Sequence, residues 1–239
     1  MTQTHAMAFL FERPFAEPVV LTGQPALASW MRRDHPDQIR LEAFLIAVDE
    51  DAEPALDRIA GDVAVELTIG LAPEESLTRH RDLDNYLIPV VSRLGQRRIP
   101  AAFARKVHAA DSTLSVGPAQ YRVDDGAPML QVRAVGSHER PAWKEQIGDA
   151  CQATVGPGAA HSGTAQLDVA FVVSSTRNWT NLWKPTIDAI AGPLLGLPNP
   201  DIPWSPNDDH ITRLGLHRTI DDSVGFDVVI RAWWRLDKA

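Results

Sequence analysis

One cysteine, Cys151, stands in 239 residues, so the chain can form no internal disulfide and no cysteine-based zinc cluster. That scarcity suits a reducing cytoplasm. Aromatic residues make up only 7%. The longest apolar runs, AFLIAV at 43–48 and the stretch 167–173, fall far short of the roughly 20 residues a spanning helix needs. The opening MTQTHAMAFLFERPFAEP has no basic stretch followed by a long apolar one, so neither an export signal nor a membrane partner is expected. Positive charge is short overall: the net charge of -8 argues against indiscriminate binding to nucleic acid, whose phosphates need lysine and arginine.

Several catalytic signatures are missing as well. No G-x-S-x-G elbow occurs, and the eight histidines are scattered. A lone histidine such as His161 or His217 belongs more often to a surface or loop than to a catalytic set. The glycines of VGPGAAHSGT (155–164) lack the spacing of a phosphate cradle. The acidic run VDEDAEPALD (48–57) lacks the glycine and spacing of a calcium loop and reads as a solvated helix end.

What is present is an ordinary globular composition, 44% apolar and 23% charged. The length allows one large domain or two of roughly 100 residues. Apolar alternation predicts strands at 7–11, 62–71, 129–135, 167–174 and 226–236. Helical spacing predicts helices at 38–48, 85–94, 141–153 and 181–190. Pro89 and Pro185 fit only a first helical turn, so the second and fourth helices are expected to begin just after Asn85 and Asn181. Trp233 and Trp234, adjacent on a strand, must face opposite sides. Trp204, in NPDIPWSPNDD, could stack a base, although a loop tryptophan usually anchors irregular backbone.

Between Arg79 and Lys106 the charge balance inverts. Arg79, Arg81, Arg93, Arg97, Arg98, Arg105 and Lys106 face only Asp82 and Asp84, a local excess of five positive charges. This window is either a solvated arginine-rich face or a surface for nucleic-acid phosphates.

The same window belongs to a repeat. Arg81, Asn85 and Pro89 recur as Arg177, Asn181 and Pro185, and Asp62-Val63-Ala64 recurs as Asp168-Val169-Ala170. Asp111, Gly117, Asp124, Arg133 and Ala134 recur as Asp209, Gly215, Asp222, Arg231 and Ala232. The blocks keep their order and their offsets differ only by loop-sized amounts, which implies duplication: one copy in 1–136 and a second in 137–239. The unit is helix, strand, loop, motif-bearing helix, long loop and closing hairpin.

The motif itself is RHRDLDNYLIPVVSR (79–93) in the first copy and TRNWTNLWKPTIDAI (176–190) in the second. Two aspartates at i and i+2, between a strand and a helix, can direct both carboxylates at one spot, the arrangement a hard cation such as Mg²⁺ or Mn²⁺ wants. Asp111, supplied by the repeat alignment, is the candidate third ligand. Helix capping is the competing role for an aspartate at such a position.

The R-D-L-D-N helix, the loop after it and the following acidic residue resemble the RusA-type Holliday-junction resolvases, over roughly the last two-thirds of each copy. The resemblance implies two tandem α/β units, each a mixed β-sheet packed with helices, an α+β chain forming an intramolecular pseudo-dimer of what relatives build as a homodimer. It also implies a Mg²⁺-dependent endonuclease or nickase, with Asp82, Asp84 and Asp111 as metal ligands and branched or distorted DNA as substrate. The family's lysine, one turn further along the helix, falls on Ile88. The second copy is the reverse: Asn178 and Thr180 stand where the aspartates belong, yet Lys184, Asp208 and Asp209 supply the lysine and the acidic pair. It reads as a catalytically silent partner. An inactive scaffold that binds DNA or a protein, or associates further with itself, is the alternative.

Overall fold

The computed structural model describes residues 10–28, 31–79, 82–122, 129–156, 163–195 and 208–237. The fold is α+β, with four α-helices and an eight-stranded mixed β-sheet. In chain order the elements are β1 (Val19–Val20), α1 (Pro36–Leu56), β2 (Val63–Leu71), α2 (Leu83–Leu94), β3 (Ala101–His108) and β4 (Thr113–Pro118). There follow β5 (Leu130–Ala134), α3 (Pro141–Val155), β6 (Thr164–Val173), α4 (Trp183–Leu195), β7 (Ile211–Ile220) and β8 (Val228–Asp237). The strand order is β1-β4-β2-β3-β7-β6-β8-β5.

Contacts divide the chain into two compact units, one built on Phe11–Tyr121 with Ile211–Gly215, the other on Arg122–His210 with Leu216–Ala239. The contact boundary therefore falls between Tyr121 and Arg122. The strand β5 pairs antiparallel with β8 in the second unit. Alternation marks such a segment as a strand but is silent on its partner.

In the first unit, β2 and β3 run parallel and are joined through α2, while β4 pairs antiparallel with β2. His35 begins α1 by accepting the Asp37 N–H, and Pro36 occupies the first turn, where its missing donor costs nothing. Leu41, Phe44, Leu45, Val48 and Ala52 then form the buried stripe of α1 at helical spacing. The helix is longer than the sequence pattern suggests and takes in most of the acidic run. Asp49 and Asp51 are anchors there: Asp49 receives Arg93 at 2.5 Å, and Asp51 accepts the Thr22 N–H at 2.9 Å.

The α2 helix starts at Leu83, two residues before Asn85, which leaves Pro89 inside it. An interior proline strands the carbonyl four residues earlier. Here that carbonyl, of Asn85, accepts the Ala28 N–H at 2.8 Å. Gly95, at φ 97°, ends the helix in the left-handed conformation that glycine adopts without cost.

In the second unit, α3 packs on α4 and β5, and β6 and β5 both pair antiparallel with β8. Trp143, Trp179 and Trp183 are fully buried there, the last two edge to face with centroids 4.7 Å apart. Trp233 and Trp234 are both half-buried on β8, opposite Asp168 and Leu167 of β6. Residues Met7 to Phe9 of the first expected strand, most of the 155–164 loop, His161 and Trp204 lie outside the described residues.

Along the chain one order of elements occurs twice: β1 α1 β2 α2 β3 β4, then β5 α3 β6 α4 β7 β8. In this order the strand that follows α2 is β3 and the strand that follows α4 is β7. Each is preceded by a single 3-10 turn, Gln96–Arg98 in one and Asp208–His210 in the other. Gly117 and Gly215, matched by sequence, lie instead on β4 and β7, which are not counterparts.

Candidate metal centre

In a β-strand, helix, parallel-strand crossover the first turn of the helix arrives at the carboxyl ends of the strands, where ligands of α/β units collect. Asp82 and Asp84 occupy that turn. Asp82 is the extended residue before the helix, at φ -67° and ψ 122°. Its carboxylate makes no cap bond to the helix backbone and instead accepts the Asn85 side-chain N–H at 3.0 Å. Asp84 lies inside the first turn and is 1% exposed. A carboxylate oxygen of each lies within 4.8 Å of the other. Two carboxylates so close, one of them removed from water, repel unless cationic charge or a proton lies between them.

Asp111 is not placed with them. It is exposed in the loop after β3, whereas Asp208 and Asp209 stand before β7, so the alignment that made it their counterpart does not survive the order of elements. Among the described residues it joins no group of three close carboxylates with Asp82 and Asp84. Its loop is packed by backbone: an added Cβ at Gly70 would collide with the Asp111 carbonyl, and the Gly70 N–H donates to Ser112 Oγ at 3.0 Å. The position equivalent to the acidic pair is the Gln96–Arg98 turn, which carries Arg97 and Arg98 instead.

Among the described residues of the basic window, several are engaged within the protein. Arg93 is tied to Asp49 and Glu42 of α1, and the hydrogen bond to Asp49, with the charges of both acids, raises its pKa. Arg98 holds the carbonyls of Ile59 and Gly61, at 2.7 and 3.1 Å. Arg105 reaches Thr68 at 2.9 Å and Glu66 at 3.4 Å, and Glu66 also receives Arg13 at 2.5 Å. Lys106, the next residue on β3, points to the opposite face and is 3% exposed. Arg79 and Arg97 are exposed, and Arg81, like His80, lies outside the described residues.

At the corresponding turn of the second unit, Asn178 Oδ1 accepts the N–H and the hydroxyl of Thr180, at 3.1 and 2.8 Å. This is a side-chain turn closed on itself, with no carboxylate. Lys184 lies between Asp208 at 2.5 Å and Asp188 at 3.2 Å, and Asp188 also receives Lys144 at 2.6 Å. The alternating chain joins α3, α4 and the turn before β7. Asp188 went unnoticed in the sequence, although its i,i+4 spacing from Lys184 is a recognised ion-pair signal.

Two other reactive side chains are committed elsewhere. Burial pushes the Cys151 thiol up to about 11, so it is no nucleophile at neutral pH. His217 is a fully buried residue of β7, not a surface one, with Nε2 3.4 Å from Asp168, whose other oxygen lies 3.7 Å from Arg122. No protein-family model and no curated protein matches this chain.

Proposed function

We propose that the first unit carries a divalent-cation centre and that the protein is a Mg²⁺- or Mn²⁺-dependent endonuclease or nickase of RusA type, acting on branched or distorted DNA. The observation that carries the reading is the Asp82 and Asp84 pair, 4.8 Å apart or closer at the start of the crossover helix, with Asp84 almost wholly buried. The twofold order of elements supports a duplicated chain in which Asn178 and Thr180 leave the second copy silent.

Both aspartates would serve as ligands, Asp82 oriented by Asn85 and Asp84 by its place in the first turn. A bound cation would activate water and neutralise charge developing on a phosphodiester. The chain's own part is to hold two oxygens close together at the amino end of α2, where helix N–H groups favour an anion. Arg79 and Arg97, both exposed, are two arginines of the window that would face DNA phosphates.

A non-catalytic scaffold that binds DNA or a protein partner is the second reading. It is favoured by Ile88 in the lysine position and by the internal commitments of Arg93, Arg98 and Arg105.

The test is cleavage of a labelled four-way junction, a linear duplex and a single strand with Mg²⁺, Mn²⁺ or EDTA, alongside Mn²⁺ binding by calorimetry. Metal-dependent cutting and metal binding that both vanish in Asp84→Asn are the expected results. Junction binding without cutting or metal uptake would overturn the nuclease reading in favour of the scaffold.

A further inference from the structure

The endonuclease reading leaves one chemical gap. The lysine that resolvases of this type carry on the helix has no counterpart on α2, where Ile88 stands. A fixed cation near a phosphodiester-cleaving centre stabilises the charge that builds up on phosphorus. The first unit holds one lysine in a position to supply it.

That lysine is Lys106. On β3 it pairs in register with Ile69, and Ala102, Ala104 and Lys106 share one face by strand alternation. The other face, with Ala101, Phe103 and Arg105, is occupied by Phe11, Arg13 and Glu66. Lys106 therefore lies on the side that α2 covers, and it is only 3% exposed.

Its height along the sheet follows from length. The 12 residues of α2 span about 18 Å running back from the carboxyl ends of the strands. The five steps from Ala101 to Lys106 climb about 17 Å in the opposite direction, at ~3.3 Å each. Lys106 and the first turn of α2 thus reach about the same level of the same layer, which places a buried lysine and the buried Asp84 toward one end of the crossover.

Resting on the endonuclease reading, we infer that Lys106 supplies the fixed positive charge beside Asp82 and Asp84, from the strand instead of the helix. Its ammonium balances the acid pair before metal arrives and opposes the cation once it binds. Metal affinity is thereby held down, while charge developing on a bound phosphodiester is stabilised. Lys106 is a charge-balancing and positioning residue whose loss tightens metal binding and slows cutting together. A purely structural lysine would show no such split.

The experiment compares wild type, Lys106→Met, Lys106→Arg and Asp84→Asn, with Lys106→Gln as the second charge-removing variant if methionine does not fold. Mn²⁺ affinity is read by calorimetry, junction cleavage at saturating Mn²⁺ by gel, and folding by circular dichroism. Expected is Mn²⁺ binding about tenfold tighter in Lys106→Met, because a like charge has gone, with cleavage about a hundredfold slower. Lys106→Arg should hold the wild-type affinity, and adding Ile88→Lys to Lys106→Met should restore part of the rate. Unchanged or weaker Mn²⁺ binding in the folded charge-removed variants, with Asp84→Asn abolishing it, overturns the role of Lys106 alone. Absence of Mn²⁺ binding in wild type overturns the metal centre and Lys106 with it.

Discussion

The carbonyl of Asn85, which Pro89 cannot serve because it lacks an N–H, accepts the backbone N–H of Ala28 at 2.8 Å. A proline inside a helix normally leaves a polar group to find another partner. Here the segment before α1 provides it, so the first turn of α2 is pinned from outside the helix, one residue beyond Asp84.

This pin gives a paired prediction. Ala28→Pro removes the donor and should lower stability by roughly 1–3 kcal/mol. Pro89→Ala gives the helix its own donor for the same carbonyl and should recover part of that loss in the double variant. Urea unfolding of the four proteins forms the cycle, and strictly additive effects would show that the two groups do not share the carbonyl.

Asn85 also holds the Asp82 carboxylate, at 3.0 Å. Partners that orient a metal ligand are typically worth about 10–100-fold in affinity. Asn85→Ala should therefore weaken Mn²⁺ binding by about tenfold while leaving the protein folded. Calorimetry with matched circular dichroism checks this, and unaltered affinity would remove Asp82 from the ligand set.

In the second unit, Asp188 takes Lys144 at 2.6 Å and Lys184 at 3.2 Å while its side chain is itself buried. Breaking a buried pair costs about 3–5 kcal/mol, and the partial exposure of both lysines reduces this. Asp188→Asn should cost about 2–3 kcal/mol in denaturant unfolding, and Lys144→Met less, since Asp188 keeps Lys184. Equal losses from both variants would mean that the chain does not run through Asp188.

Asp222 accepts the Ser175 N–H at 2.8 Å and its hydroxyl at 2.9 Å, and these bonds, the backbone one first, hold its carboxyl below the usual range. A folded-state pKa that is depressed contributes stability above the unfolded value, about 3.9, and loses it as pH falls through the folded one. Asp222→Ala should thus be less stable than wild type at neutral pH. The gap should narrow as the pH drops below about 4. Urea midpoints across the pH range measure it, and a gap constant with pH would mean the carboxylate charge contributes nothing.

The amino-acid pattern by itself determined much of the framework. β2, β6 and β8 follow from their apolar patterning, α3 from its helical spacing, and the acid pair from its place between a strand and a helix. These are local properties, because period-2 and period-3.6 burial write themselves into consecutive residues. The recurrence of Asn85 and Pro89 as Asn181 and Pro185 is likewise a property of the sequence alone. What only the tertiary structure decided is who meets whom. β3, rich in alanine, carries no clear period, because it is buried on both faces for most of its length. Arg93 and Asp49 are 44 positions apart and Arg98 and Gly61 are 37, so charges that look like one basic patch in sequence are spent separately. Asp111 looked equivalent to Asp209 until the strands were ordered, and Lys106 looked like surface although it is buried. Partners at such separations are selected by packing in three dimensions, and a pattern along the chain carries no term for that.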